Sequence, residues 1–402
     1  MKAVVQDMKD GAVRVVDAPC PVLRSGGMLV RVRRSLISIG TDRAVVALAK
    51  KGPLGKARER PDLAWKVVNR ARQDGVWSTV KIVRNLIETP IPLGYSCAGQ
   101  VIAVGEDALG FNVGDRVACA GLNFAAHAEI DFVPRNLAVR IPDAVGDDEG
   151  AFVALGAIAI QGVRLARLEI GDVVVVLGLG LVGQIVSQVA RCNGATVVAM
   201  DLDSAKVDLA KTLGAPEGCK SRSELEQTVD RLTNGHGADA VLVCAADRSP
   251  RAMDTAVAVS RLRGRIVVVG DVAMRMSRRA LFEKEIQVTV SRSYGPGRYD
   301  RSYEERGVDY PFAYVRWTEQ RNMEAFLSLL ARREIAMLPL VTHRFPIDRA
   351  CDAYDIVSGK VRDGSAIGIL LEYPEASVAD SRKLPVARSG RRSSKGGVGL
   401  GV

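Results

Sequence analysis

The stretch "VVVVLGLGLVGQIVSQVA", residues 173–190, carries the reading of the fold. Four valines and a leucine form an apolar run of strand length without polar alternation, the pattern of a strand covered on both faces. Glycines follow at 178, 180 and 183, and the residues from Leu181 and Val182 onward read as a helix. Between strand and helix, Gly178-x-Gly180-x-x-Gly183 gives each glycine a task. One permits the tight turn, one lets a pyrophosphate approach the backbone, and one lets the helix pack close to the strand. The helix start offers unpaired N–H groups and a positive dipole end to the phosphates. Asp201 stands 18 residues beyond Gly183, at the end of the next apolar strand, "TVVAMD". A carboxylate there accepts from ribose hydroxyls and repels a 2′-phosphate, so NAD is expected rather than NADP.

Working outward, residues 151–290 continue the alternation of strand and helix: "SAKVDLAKTLGA", "ADAVLVCAA", "SPRAMDTAVAVSRLRG" and "RIVVVGD" follow in turn. This order indicates an α/β, doubly wound parallel sheet. The ends of its later strands, Cys244-Ala245 and Val269-Gly270, belong at the carboxyl edge, where the nicotinamide half of a dinucleotide lies. Residues 1–150 read differently. Short alternating strands at 1–42 and turn-rich strands at 90–142 suggest a compact, mostly antiparallel, barrel-like domain. Between them, 43–88 has helical texture. Residues 291–373 return to aromatic-rich irregular sequence and a last helix and strand, so the parallel-sheet domain is inserted into a split partner. Residues 374–402 read as a flexible basic tail.

The net charge of +10 is concentrated. Residues 50–84 hold ten Lys/Arg against three acids, and 377–402 hold six against one. Only Trp65 and Trp77 interleave with the first cluster, too few for a stacking platform, so nucleic acid is an unlikely partner. The longest apolar run, 173–183, is well short of the roughly 20 residues a membrane span needs. Seven dispersed cysteines without CxxC spacing exclude a tetrathiolate zinc lobe and fit reduced thiols in the cytoplasm.

"SIGTD" (38–42), "LGYSCAG" (93–99), "FNVGDRV" (111–117), "LGLGLVG" (177–183), "MDLDSAKVDLAKTLGA" (200–215) and "VVVGD" (267–271) together resemble the medium-chain dehydrogenase/reductase superfamily. The resemblance covers residues 1 to about 373. It implies a Rossmann domain inserted in a GroES-like catalytic domain, and an adenosine-ribose contact at Lys206. Segment 293–326 resembles the zinc-free dehydrogenase half of bacterial bi-domain oxidoreductases. In that group the half is joined to a module of the Gfo/Idh/MocA type, whose first strand the terminus "KGGVGLGV" resembles. A fused or separate module of that type, and a homo-oligomer, are therefore expected partners.

The resemblance also locates what is missing. Its zinc ligands correspond here to Ile39, to Tyr95 with Ser96, and to Ala154, which cannot assemble a zinc site. No metal is expected. Tyr95 stands where a ligand histidine would point into the cleft and can donate a hydrogen bond to a carbonyl oxygen; a space-filling role is the alternative. Thr41 and Asp42, in the retained "GTD" turn, could orient substrate or extend a proton path. Seven of the nineteen aromatics fall in 294–317, suggesting either a pocket rim for a hydroxyl-bearing ligand or a packing contact. The expected function is zinc-independent hydride transfer between NAD(H) and an alcohol or carbonyl substrate, in a sugar or polyol derivative. The alternatives are an NADPH-dependent quinone or enoyl reductase, or a non-catalytic cofactor- or nucleic-acid-binding protein.

Overall fold

The computed structural model describes residues 1–7, 10–40, 42–43 and 90–374. The basic insertion at 44–88, the tail from 375, and Thr41 therefore lie outside the described residues.

The first part of the chain is a set of short strands: β1 (Lys2–Gln6), β2 (Val13–Asp17), β3 (Gly27–Ser38), β4 (Ile91–Pro92), β5 (Ser96–Val104), β6 (Arg116–Ala120), β7 (Ile130–Pro134) and β8 (Ala138–Arg140). β1 pairs with β2 and β4, while β3 pairs with β5 and β7 and continues through β6 to β8, all antiparallel. β3 was expected to alternate apolar and polar residues. It is instead buried along most of its length, with only Arg31, Arg33 and Arg34 partly exposed. Both faces are covered: Met28, Val30 and Val32 enter one core, Leu29 packs with Ile130 and Phe132, and Leu36 joins a third group.

Helices α1 (Asp147–Gly150) and α2 (Val153–Ala166) lead into the second sheet. There β9 (Val173–Leu177), α3 (Leu181–Cys192), β10 (Thr196–Met200), α4 (Ser204–Thr212), β11 (Glu217–Cys219), α5 (Arg222–Thr233), β12 (Ala238–Val243), α6 (Arg251–Val259), β13 (Ser260–Val268), α7 (Arg278–Lys284) and β14 (Gln287–Val290) follow in order. The strands lie as β11-β10-β9-β12-β13-β14, all parallel. Winding outward from β9 and then jumping back to β12 creates a switch point between those two strands, the crevice where such sheets bind nucleotides. Burial on both faces explains the unbroken valines. Val174 and Val176 face the core that contains α2 and α3, whereas Val175 and Leu177 face the opposite core with α6.

One boundary differs from the sequence reading, which ran the helix of 251 onward through "SRLRG". The helix stops at Val259 because Ser260 turns extended, its hydroxyl donating to the Ala256 carbonyl at 2.7 Å. Ser260 then pairs with Ala238, and Arg261 Nε donates to Asp239 at 2.6 Å.

After α8 (Arg301–Glu304) and α9 (Glu319–Ala331), the chain rejoins the first sheet through β15 (Val341–Pro346), α10 (Ala350–Ser358) and β16 (Gly368–Glu372). β16 pairs antiparallel with β3, and β15 parallel with β16. The fold is thus a Rossmann sheet inserted in a mostly β, GroES-like domain. No helix among the described residues is long and apolar enough to cross a membrane.

Candidate active site and dinucleotide crevice

The glycine loop leaves β9 with Gly178 at φ +90°, where a Cβ would lie 2.7 Å from the backbone N and Cα of Ala245. A Cβ on Gly183 would sit 1.9 Å from the Gly178 carbonyl oxygen. These two glycines hold the loop against the end of β12 and the first turn of α3 against the loop. At Gly180 a Cβ would meet nothing within 4 Å, so that face is open. Gly180 is also the N-cap of α3 and brings no capping side chain, which leaves the helix's first N–H groups to an outside acceptor. Leu181, buried in the first turn, packs near Gly368 at the start of β16, and half-buried Val182 follows it. The loop therefore faces the β domain.

Asp201 grips this loop. Its Oδ2 accepts from Leu179 N at 2.7 Å and its Oδ1 from Asp203 N at 3.0 Å, leaving each oxygen a further lone pair. Lys206 lies on α4, its Nζ 3.3 Å from Asp203 and its carbonyl accepting from Gln184 of α3 at 2.8 Å. Cys244 N donates to Leu177 O at 2.8 Å, and Val269 and Gly270 both donate to Val243 O at 2.9 Å. A Cβ on Gly270 would fall 2.1 Å from Ala245 O. The structure thus brings Gly178, Gly183, Cys244, Ala245, Val269 and Gly270 together at the carboxyl edge. Burial pushes the Cys244 thiol up to about 12, so it stays protonated.

Across the crevice, Gly94 at φ +95° backs onto His127, where a Cβ would meet the His127 nitrogen at 2.7 Å. Tyr95 follows, buried in the same core as Ala154, Leu181 and Tyr294. Ser96 joins β5 to α2: its hydroxyl donates to Ala151 O at 2.6 Å and accepts from Ala154 N at 3.1 Å. Cys97 faces Cys119 across the β5–β6 pair. Its hydrogen bond to Cys119 and its burial push the Cys97 thiol well up, so it is no nucleophile. Asp42 is buried, and among the described residues no cation pairs with it. It accepts from Ser38 N at 2.8 Å and from the Tyr354 hydroxyl at 3.3 Å, and desolvation raises it to about 7.

At the positions of the expected metal ligands, Ile39 packs half-buried on the β-domain core, and Ala154 is fully buried in α2. Among the described residues no three His, Cys, Asp or Glu side chains converge as a metal site would require. His127 is a core residue. Its Nδ1 shares a 2.7 Å hydrogen bond with Ser35 Oγ, which in turn meets the Tyr373 hydroxyl at 2.7 Å, and burial lowers it to about 3. His236 is exposed, and His343 Nε2 lies 2.8 Å from Asp363.

Two groups of side chains escaped the sequence reading, apart from Tyr294 of the aromatic segment. Tyr354 of α10 links Asp42 to the neighbourhood of Tyr95, whose phenol is near enough to raise it, and sets its ring edge-on to His127 at 6.1 Å. Its position among Ala350, Ala353 and Val357 reads in sequence as ordinary helix core. The second group lies in the aromatic segment. Tyr294 is buried beside Tyr95, with the Arg298 guanidinium 5.1 Å from its ring. Arg298 pairs with Glu304, and both are buried. Glu319, the first residue of α9, is fully buried with neither oxygen hydrogen-bonded among the described residues. Desolvation first, then the neighbouring Glu304, raise it to about 9. The segment is therefore part packing core and part surface: Tyr303 stacks on Tyr310 at 5.2 Å, whereas Tyr314 is exposed.

Comparison with known proteins agrees with this geometry. The family model described as the alcohol dehydrogenase GroES-like domain matches residues 67–143, and the one described as zinc-binding dehydrogenase matches 182–306. The chain belongs to the medium-chain dehydrogenase/reductase superfamily. Within it, the chain is 27% identical over 319 residues to sorbitol dehydrogenase 1 of Saccharomyces cerevisiae, covering 68% of this chain and 80% of the relative. It is 24% identical over 318 residues to D-arabitol-phosphate dehydrogenase of Enterococcus avium, covering 71% and 82%. The crystal structure of galactitol-1-phosphate dehydrogenase from Escherichia coli superposes with a TM-score of 0.69 at 20% identity, covering 92% of this chain and all of that one. The chain is an oxidoreductase of the alcohol dehydrogenase type.

Proposed function

We propose that this oxidoreductase moves a hydride between NAD(H) and the carbinol or carbonyl carbon of a polyol or sugar derivative, without zinc. The observation that carries the proposal is the wall opposite the glycine loop. Tyr95, which the resemblance sets where a zinc ligand would stand, shares a core with Leu181 of the loop helix and is backed by Tyr354 and Asp42. The polyol substrates in the relatives' names support the substrate class.

The residues fit a dinucleotide. The open face at Gly180 and the uncapped start of α3 would receive the pyrophosphate, Asp201 the adenosine ribose, with Lys206 beside it, and the backbone at Cys244, Ala245, Val269 and Gly270 the nicotinamide half. NAD, when bound, supplies the hydride acceptor. The Asp201 side chain disfavours a 2′-phosphate. In alcohol oxidation the hydride leaves the carbinol carbon, and the hydroxyl proton must leave the oxygen. Tyr95 would hold that oxygen by its phenol and take its proton as the phenol's own proton passes toward Tyr354 and on to Asp42, which is able to accept one near neutral pH. In reduction the same path returns the proton. Among the described residues no set of side chains fits zinc. An expected Gfo/Idh/MocA-type partner and homo-oligomer belong to this proposal as well.

Calorimetric titration of the full chain with NADH and with NADPH tests the cofactor half. Clear preference for NADH is expected. Preference for NADPH overturns the role of Asp201 and favours a quinone or enoyl reductase.

A further inference from the structure

A cavity of about 760 Å³ opens between α2, the C-terminal end of α3, α9 and the segment before it. It is distinct from the dinucleotide crevice. α3 has 12 residues and spans about 18 Å, with the glycine loop at one end and Cys192 and Asn193, which line the cavity, at the other. The volume lies within the range of small-molecule sites, about 300–1,000 Å³. Its floor is apolar, with Ile160, Val163 and Leu329, and its charge is lopsided.

Arg164 and Arg316 lie 3.3 and 3.7 Å from the centroid of the Trp317 ring. Two guanidinium groups that close to one ring must take opposite faces, so the indole is held between two cations. Arg164 donates from Nε to Asn322 at 2.9 Å. Burial, and after it the charge of Arg316, push Arg164 down to about 10. The other lining arginines, Arg321 and Arg332, pair with Asp309 and Glu334. Among the described residues no carboxylate lies within ion-pair distance of Arg164, Arg167 or Arg316.

Glu324 also lines the cavity and feels Arg321 and Arg316, but five arginines there face two carboxylates, of which Glu334 is taken by Arg332. With Arg164 half-buried beside Arg316, that excess of positive charge is costly unless an anion joins them. Planar guanidinium forks suit carboxylate, phosphate or sulfonate heads. We propose that this cavity binds an organic anion whose apolar body lies on the floor and whose head meets Arg164 and Arg316. The site stands on the helix whose other end Ser96 ties to the Tyr95 segment.

The test is fluorescence titration of the full chain with 8-anilinonaphthalene-1-sulfonate, beside the uncharged N-phenyl-1-naphthylamine. Saturable binding of the sulfonate is expected, weakened about tenfold or more in R316Q and in R164Q by loss of a charge-assisted contact. The uncharged probe should be indifferent to both changes. Arg316 is exposed, so R316Q decides the matter even if R164Q does not fold. Undiminished sulfonate binding by R316Q would place the probe elsewhere, on the basic segments or in the dinucleotide crevice, and overturn the proposal. Absence of saturable binding by the unaltered chain would overturn it too.

Discussion

The two walls of the crevice are built on different logics. On the Rossmann side the machinery is backbone: glycines that admit close approach, an uncapped helix start, and one carboxylate, Asp201, that braces the loop from the neighbouring strand. On the β-domain side it is side chains gathered from far apart in sequence: Tyr95 before β5, Asp42 after β3, Tyr354 on α10 and Tyr294 after β14. Backbone machinery tolerates little change, because a single Cβ fills it. Side-chain machinery can exchange a metal ligand for a phenol while the scaffold stays the same. Under the proposed function, that exchange took place on one wall only.

The largest expected effect falls on the side-chain wall. Tyr95→Phe removes the phenol proposed to hold the reacting oxygen, and kcat should drop about 10²–10⁴-fold, the usual worth of general acid–base catalysis. NADH affinity, measured by calorimetry, should not move. Gly183→Ala reverses that pattern. Its Cβ would meet the Gly178 carbonyl at 1.9 Å, so dinucleotide affinity should fall steeply while overpacking costs about 1–3 kcal/mol in urea unfolding. Asp201→Asn should narrow the preference for NADH over NADPH by about tenfold, or 1.4 kcal/mol, without abolishing either. A preference left intact would detach Asp201 from the ribose.

Two pH effects sharpen the comparison further. Asp42 is held at about 7 by burial, so it can act as a base only when ionised. The rate of alcohol oxidation should rise with pH through that value, and Asp42→Asn should lose this limb while keeping the dinucleotide affinity. Glu319 bears on stability instead. Its raised value of about 9 means the folded state holds a proton that the unfolded chain releases near 4.5. Stability from this group is therefore progressively lost as pH rises through that window. Glu319→Gln should gain melting temperature over the unaltered chain toward pH 9, by a few degrees in a thermal scan. Equal curves across that range would mean that Glu319 is not buried as described.

The same contrast explains what could be read in advance. Both faces of β9 are covered, so its valines run unbroken, and the three glycines carry their reasons in their spacing; strand ends at Cys244 and Val269 follow from strand order. The single misplaced boundary, at Ser260, turned on one hydroxyl closing a helix that propensity would have continued. β3 looked half-exposed because sequence alternation does not reveal that a second layer covers its other face. Tyr354 and the Arg298–Glu304–Glu319 cluster were invisible for a deeper reason. An inward tyrosine on a helix and an acid at a helix start are ordinary residues until tertiary packing sets them beside Tyr95 or removes their water. Cys97 and Cys119, 22 positions apart, are likewise neighbours only through strand register.

The proposed hydride transfer depends on the phenol of Tyr95 and not on zinc. Its most direct test is NADH formation by the full chain with sorbitol, D-arabitol and galactitol 1-phosphate, after exhaustive removal of metal with a chelator, with Tyr95→Phe alongside. The account predicts that at least one of these polyols is oxidised at an undiminished rate by the metal-free protein and about 100-fold or more slowly by the variant. Activity that vanishes with the metal, returns on adding zinc, and is indifferent to Tyr95→Phe would contradict it.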